Sequence, residues 1–340
     1  MQDSQSFDDL IIERDLKADK RIFSKIGAGF ALFTVVTTVA AIVIQIIALI
    51  ISEEFATSTL FMNILTPLSM YVFALPFLLI ILSFCPSKPP EKTKLGLGKW
   101  CLFLIVAFGA MMWGSEIGNG LMEWLSGIVG YDYGNALESL VDDDELWISM
   151  IFMVTIAPIG EELVFRKLII DRTHKYGLFV SVGLSALMFG LTHGNFYQFF
   201  YCFFVGMILG YVYYVSGNIL LSIALHASLN FVGTVVVSWL TPTANALLTI
   251  DTGNAEALVQ FASKNALGVI GLAVYTAFMY GAKICALVLP LIFYKKLMPP
   301  KGELALPKNK VFSTVMLNVG MIALMAIYVF EFAINLLPIN

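Results

Sequence analysis

The chain has 340 residues, of which 59% are hydrophobic and 13% are charged, and its mean hydropathy is +0.86. A soluble globular domain has about 45–50% apolar and about 25% charged residues, so water cannot be the solvent for most of this surface. The formal net charge of -4 is spread over short loops and gives no basic stripe of the kind that nucleic-acid binding needs. The composition therefore excludes a soluble protein and a nucleic-acid partner, and it predicts a protein embedded in the lipid bilayer.

Long, unbroken apolar runs predict helices rather than a transmembrane barrel. A bilayer core offers no water to backbone groups, so spanning elements are helices or closed barrels. At about 20 residues per crossing, the sequence predicts an all-α, polytopic transmembrane bundle of about eight to nine spans. The predicted helices cover residues 27–51, 60–85, 100–124, 146–170, 177–194, 196–215, 218–241, 266–296 and 312–336.

Basic segments alternate with acidic or nearly neutral ones along the chain. The basic segments are the N-terminal tail and residues 88–99, 166–175 and 295–310, and the others lie at 53–54, 142–145 and 242–265. Because Lys and Arg accumulate on the cytoplasmic side, the N-terminus is predicted to be cytoplasmic and the C-terminus external, with the plasma membrane as the expected location. The first apolar run is longer than a signal-peptide core, so it is expected to stay as an uncleaved span.

The four cysteines are Cys85, Cys101, Cys202 and Cys285. They have no spacing that is typical of metal sites or disulfides, and they are predicted to be small buried hydrophobic residues.

The first candidate site is the sequence PIGEELVFR at residues 158–166. Ionisable groups inside a span cost several kcal/mol unless they are paired or face a cavity. Glu162 and Arg166 have the i,i+4 spacing of an ion pair and are predicted to be structural. Glu161 points about 100° away and is predicted to be free for chemistry. Pro158 lacks a backbone donor and is predicted to loosen the helix. The alternative is that both glutamates are solvated charges at the cytoplasmic interface.

Two further segments carry histidines. Phe189 and His193 lie one turn apart, and so do His226 and Asn230. A lone histidine at a helix end is commonly an interfacial residue, so His193 by itself indicates little. His226 is in mid-span, where an imidazole has few polar partners, so it is the stronger candidate.

Together, the patterns Glu-Glu-x-x-x-Arg, Phe-x-x-x-His and His-x-x-x-Asn resemble those of the CPBP family, which comprises CAAX proteases and bacteriocin-processing enzymes and is also called the ABI family. The resemblance covers residues 146–240, and all three patterns match without a substitution. It implies an intramembrane metalloprotease similar to type II CAAX prenyl endopeptidases, which cleaves a membrane-associated peptide or protein. The expected division of the chain is a cytoplasmic tail (1–26), N-terminal transmembrane helices (27–145), a catalytic core (146–241) and C-terminal transmembrane helices (242–340).

The resemblance implies catalytic roles for Glu161, His193, His226 and Asn230. The first two match the family's water-activating pair, and the last two match its oxyanion-stabilising or ligand positions, with Phe189 supporting the motif. A carboxylate and an imidazole that share a water can deprotonate it, and polar donors can stabilise the oxyanion that forms. Glu161, His193 and His226 would also make an acceptable zinc set with an open position. A metal-free glutamate mechanism uses the same residues, so both hypotheses stay open.

Three other functions are compatible with parts of the sequence. A serine protease could use Ser185, or Ser222 at i,i+4 from His226, although small residues at such spacing are common in helix packing. A proton-coupled transporter could use Glu116 and Lys283 as relay groups. A non-catalytic immunity or regulatory protein could keep the fold and bind other membrane proteins. The sequence does not identify the substrate, its prenylation or the oligomeric state.

Overall fold

The computed structural model describes residues 16–133, 146–250, 254–297 and 302–337. Within these ranges the chain is helical and contains no strand, so the predicted all-α polytopic bundle is confirmed. The helices are α1 (Leu16–Ile51), α2 (Glu53–Ala56), α3 (Thr59–Ser83), α4 (Leu97–Val129), α5 (146–173), α6 (Leu178–Leu191), α7 (Phe196–Ser216), α8 (Ile219–Leu248), α9 (Ala255–Lys264), α10 (Ala266–Leu297), α11 (Val311–Val315) and α12 (Val319–Asn335). The acidic segment 142–145 and residues 1–15 of the predicted tail lie outside the described residues.

Six of the described helices are long and apolar enough to cross a membrane, namely α1, α3, α4, α7, α8 and α10. The pair α11 and α12, which is bent by 68°, makes a seventh span if it is counted as one. Helix α6 has 14 residues, a length of about 21 Å, which is less than the hydrocarbon core of about 30 Å. Helix α5 is divided into α-helical and π-helical segments. The chain is an integral membrane protein, and its span count roughly agrees with the prediction.

Three predicted boundaries are wrong. Helix α1 begins at Leu16 rather than residue 27, because the intervening Lys and Arg residues are good helix formers. The predicted loop 242–265 contains the end of α8 and the whole of α9. The predicted helix 312–336 is broken at Asn318, whose side chain accepts a hydrogen bond from the Met321 N–H at 3.0 Å and so begins α12 as a separate helix.

The buried hydrophobic residues form two large clusters. The first is made mainly by α1, α3, α5, α6 and α12, and the second by α4, α7, α8 and α10. Helix α7 belongs to both, since Cys202 lies in the first cluster and Val205 in the second. The space beside α7, where the clusters meet, is therefore the natural place for a cavity.

Close contact between α1 and α12 joins the two ends of the chain. A Cβ at Gly320 would lie 1.8 Å from the carbonyl oxygen of Ser24, and one at Gly27 would lie 2.4 Å from the carbonyl carbon of Gly320. The N–H of Gly320 donates to Oγ of Ser24 at 3.1 Å. Only glycine permits this backbone approach, so these two positions fix the C-terminal helix against the N-terminal one.

All four basic segments meet at one end of the bundle. The Tyr176 hydroxyl donates to Oδ1 of Asp19 at 2.7 Å, the Lys88 N–H donates to the Asp171 carbonyl at 2.7 Å, and the Leu304 N–H donates to the Lys175 carbonyl at 2.9 Å. At the other end, the Asn335 amide donates to the Gly194 carbonyl at 2.8 Å, and the Tyr133 hydroxyl donates to the Leu336 carbonyl at 3.1 Å. The contacts are those that a topology with cytoplasmic basic segments requires.

Single cysteines introduced into a cysteine-free background test this sidedness. We expect Lys92→Cys and Lys308→Cys to react with a membrane-impermeant maleimide only from the cytoplasmic side, because both belong to basic segments at one end of the bundle. Asp143→Cys should react only from the outside. Labelling of positions 92 and 143 from the same side would refute the topology.

Candidate active site in the membrane

A cavity of about 390 Å³ lies where the two hydrophobic clusters meet, and helices α4, α5, α7 and α8 line it together with α6 and the turn that follows α6. Phe189 and Cys202 of the first cluster line it together with Val205 and Leu229 of the second. The polar lining residues are Ser115, Glu161, His193, Gln198, Tyr201, His226, Asn230 and Thr234. The four predicted catalytic side chains thus share one cavity, while their catalytic roles stay predictions.

Glycines on α4 close the cavity on the side of α7. A Cβ at Gly114 would lie 2.3 Å from the Cα of Tyr201, and one at Gly118 would lie 2.5 Å from the carbonyl oxygen of Phe196. Both helices can approach only because these positions lack a side chain. The approach brings Ser115 of α4 to the same cavity as Tyr201.

Pro158 loosens α5 as predicted, and the carbonyl that this leaves without a backbone donor binds the side chain of Asn230. A π-helical segment, Met150–Ile156, precedes the α-helical segment Ala157–Glu161. At π-helical spacing the carbonyl of Met153 would accept from residue 158, and a proline has no N–H to donate. The side-chain amide of Asn230 donates to that carbonyl at 2.7 Å instead. The irregular backbone of α5 therefore fixes the Asn230 amide at the cavity.

Glu162 is the centre of a buried polar network. Its side chain and that of Arg166 are both 0% exposed and form the predicted ion pair, with 3.3 Å between Oε1 of Glu162 and the nearest guanidinium nitrogen. Oε1 also accepts a hydrogen bond from Nδ1 of His226 at 3.0 Å, and Oε2 accepts one from the Ser222 hydroxyl. Glu162 therefore has a further role, since it connects α5 to two residues of α8.

Arg166 is held by aromatic packing as well as by charge. Its guanidinium carbon lies 4.1 Å from the centroid of the Phe189 ring, the geometry of a cation–π contact. The same ring forms T-shaped contacts with His193 and His226, with centroid distances of 5.1 and 5.7 Å. Phe189 therefore contacts the buried cation and both histidines.

The hydrogen bonds of the two histidines define which nitrogen faces the cavity. Nδ1 of His193 lies 2.8 Å from the Phe189 carbonyl oxygen, and Nδ1 of His226 lies 3.0 Å from Glu162. Both partners accept only, so Nδ1 carries the proton in each ring and Nε2 is left to accept in the neutral state. Nε2 of His193 is 3.4 Å from the sulfur of Cys202.

Glu161 lies close to a second histidine besides the one that the resemblance pairs with it. Its Oε2 is 3.6 Å from Nε2 of His226, and the shared water with His193 stays a prediction. The separation of Oε2 and Nε2 is too long for a direct hydrogen bond, and a water on the cavity side of the two atoms could bond to both. Glu161 is also less buried than Glu162, at 19% exposure of the side chain.

The described side chains do not form a metal site as they stand. Among the described residues, no group of three His, Cys, Asp or Glu side chains is close enough to hold a metal ion. The possible zinc set of Glu161, His193 and His226 is therefore not assembled, and Nε2 of His193 is directed towards a thiol.

Neither serine considered above is available as a nucleophile. The Ser185 hydroxyl is buried and donates to the Phe165 carbonyl at 2.9 Å. The Ser222 hydroxyl donates to Glu162 rather than to His226. The possible relay groups Glu116 and Lys283 form an ion pair with each other and are not among the residues that line the cavity.

Sequence reasoning missed two contacts at the site, and it did not single out the lining residues Ser115, Gln198, Tyr201 and Thr234. Cys202 is buried as predicted, but it also contacts His193. Ser222 was assigned no role with Glu162, because 60 residues separate the two in the chain. Among the other cysteines, Cys85 is buried, whereas Cys101 is exposed, contrary to prediction, and Cys285 is half-buried.

Residues 143–232 match a family model described as Type II CAAX prenyl endopeptidase Rce1-like. The matched segment contains Glu161, Glu162, Arg166, Phe189, His193, His226 and Asn230. The segment is therefore similar to that family, and the resemblance carried by the three motifs is confirmed. Neither a curated protein nor a solved structure matched the chain.

Removal of Arg166 should destabilise the protein. Arg166→Ala leaves Glu162 unpaired in a fully buried environment, a loss of about 3–5 kcal/mol. Melting curves in detergent should show a large decrease in transition temperature. The neighbouring Lys167→Ala removes an ion pair with Asp171 whose lysine is 43% exposed, and it should change stability by about 1 kcal/mol or less. Equal stability of the two variants would contradict the assignment.

Proposed function

We propose that the protein is an intramembrane endopeptidase that hydrolyses a peptide bond of a membrane-associated peptide or protein. One observation carries the proposal: Glu161, His193, His226 and Asn230, from three separate parts of the chain, line the same cavity inside the membrane bundle. Four polar groups facing lipid would each cost several kcal/mol, so a water-accessible cavity is the arrangement that makes them tolerable. The match to a protease family supports the same reaction class.

In the proposed reaction, Glu161 acts as the general base. A water bound between its carboxylate and the histidine Nε2 atoms loses a proton to Glu161, and the oxygen attacks the scissile carbonyl carbon. The carbon–oxygen bond forms, and the carbonyl oxygen becomes an oxyanion. Glu161 then gives the proton to the leaving nitrogen as the carbon–nitrogen bond breaks. Water is thus divided between the two products, and no group on the protein is consumed.

Asn230 and His226 are suited to stabilise the oxyanion. The Asn230 amide has two N–H groups, and the bond to Met153 uses one of them. His226 can donate to the oxyanion only when Nε2 carries a proton as well as Nδ1, and in that form Nδ1 still donates to Glu162. Donors fixed in this way before the reaction usually supply the largest part of transition-state stabilisation.

The proposal extends to orientation and substrate. The basic end of the bundle is proposed to face the cytoplasm of a cell with the protein in its plasma membrane. The substrate is proposed to reach the cavity from the membrane, since the cavity is lined by helices that are long and apolar enough to cross a membrane. A prenylated C-terminal tail, a leader peptide and a signalling peptide all fit this description.

Replacement of Glu161 should abolish cleavage without unfolding the protein. Glu161→Gln keeps the size and polarity of the side chain but removes the base, so we expect a normal melting curve and no cleavage. Peptide termini compared between cells that express wild-type and variant protein should show ends that only the wild type produces. Glu331→Gln alters a carboxylate on α12, which does not line the cavity, and it should keep all of those ends. Full activity of Glu161→Gln would refute the mechanism. If expression of the wild-type protein produces no new peptide ends at all, a non-catalytic partner protein is favoured.

Metal content separates the two hypotheses about the mechanism. Because the described donors do not form a three-ligand set, we expect protein purified without chelators to contain much less than one equivalent of zinc and to keep its activity in a strong chelator. One equivalent of zinc that is lost in His193→Ala, together with activity, would establish the metalloprotease hypothesis instead.

A further inference from the structure

We infer that Ser222 is a positioning residue for His226 and acts through Glu162. The inference rests on the proposed function, because it assigns a role within the same site. Ser222 and His226 are i,i+4 neighbours on α8, so their side chains lie on one face of the helix. Both side chains contact the carboxylate of Glu162 on α5.

Each oxygen of the carboxylate has its own partner on α8. Oε1 accepts from Nδ1 of His226 at 3.0 Å, and Oε2 accepts from the Ser222 hydroxyl. The hydroxyl also lies 3.1 Å from the Leu209 carbonyl oxygen, but it has a single proton. That proton goes to the carboxylate, since hydrogen bonds to charged acceptors are the stronger ones. Ser222 thereby fixes the plane of the carboxylate.

The orientation of the carboxylate determines the orientation of His226. With Oε2 held by Ser222, Oε1 is directed at Nδ1, and the proton of the ring stays on Nδ1. Nε2 then faces the cavity, 3.6 Å from Glu161. Without the hydroxyl, Oε2 would be a buried carboxylate oxygen that has lost its partner, and the carboxylate could turn towards another donor. The hydrogen bond to His226 would then weaken or be lost.

The chain provides a matched control for the loss of a buried hydroxyl. Ser185 and Ser222 are both 0% exposed, and each hydrogen-bonds to another helix of the bundle. The Ser185 hydroxyl donates to a backbone carbonyl and contacts neither Glu162 nor His226. Ser185→Ala removes a bond to a neutral carbonyl, so it should destabilise the protein less than Ser222→Ala, and only Ser222→Ala should alter the imidazole of His226.

The histidine content makes a direct measurement practical. The chain has three histidines, so the NMR spectrum of protein labelled with ¹⁵N-histidine shows the signals of three imidazoles. The signals that disappear in His174→Gln and in His193→Gln belong to those two residues, and the remaining signals belong to His226. Wild type and Ser185→Ala should show His226 with the proton on Nδ1. Ser222→Ala should show a mixture of the two neutral tautomers, and Ser222→Thr should restore the wild-type signals.

Kinetics give a second measurement. Ser222→Ala should reduce kcat by about tenfold or more with little change in KM, because an orienting partner is lost while the cavity is kept. Ser185→Ala should keep kcat. Identical His226 signals in Ser222→Ala and wild type would overturn the inference, as would equal losses of kcat in both alanine variants. If the wild type cleaves nothing, the proposed function fails, and the tautomer measurement still decides the role of Ser222.

Discussion

A fully buried ion pair between Glu162 and Arg166 organises the centre of this membrane protein. Two charges taken out of water lose solvation that their mutual attraction alone does not recover, so such a pair needs additional partners. Here the additional partners come from different helices: Phe189 of α6 covers the guanidinium, while His226 and Ser222 of α8 bind the carboxylate. Holding one pair together therefore fixes the relative positions of α5, α6 and α8. The candidate site is a consequence of that arrangement. Phe189 and His226 line the cavity, and Ser222 lies one helical turn from His226.

Irregular helices supply the rest of the geometry. Within the interior of a regular α-helix every backbone group has a partner in the helix, so no carbonyl is free for a side chain. The π-helical segment before Pro158 leaves the carbonyl of Met153 to the amide of Asn230, and another π-helical segment, Val232–Val236, begins two residues after Asn230. Such segments are frequent at functional sites. The close approach of α4 to α7 at Gly114 completes the enclosure.

The sequence predicts local features of the site well and distant ones poorly. The ion pair follows from i,i+4 spacing within one helix, and the disturbance at Pro158 follows from the missing N–H. The contact between Glu162 and His226 joins residues 64 positions apart, and no helical periodicity predicts which face of α8 meets α5. For the same reason, the closeness of Glu161 to His226 is not predicted. Motif spacing indicates which residues share a site, whereas the packing of the helices determines which of them touch. The early start of α1 and the break at Asn318 depend on propensity and capping, which an apolar-run criterion does not take into account.

The central claim is that water activated at Glu161 hydrolyses a peptide bond inside the membrane. The most direct test is to reconstitute purified protein in liposomes with membrane-derived peptides in H₂¹⁸O and to analyse the products by mass spectrometry. The account predicts new C-termini that each contain ¹⁸O from the solvent, formed by wild-type protein and by Glu331→Gln but not by Glu161→Gln. Absence of new termini with folded wild-type protein, or equal incorporation of ¹⁸O by Glu161→Gln, would contradict it.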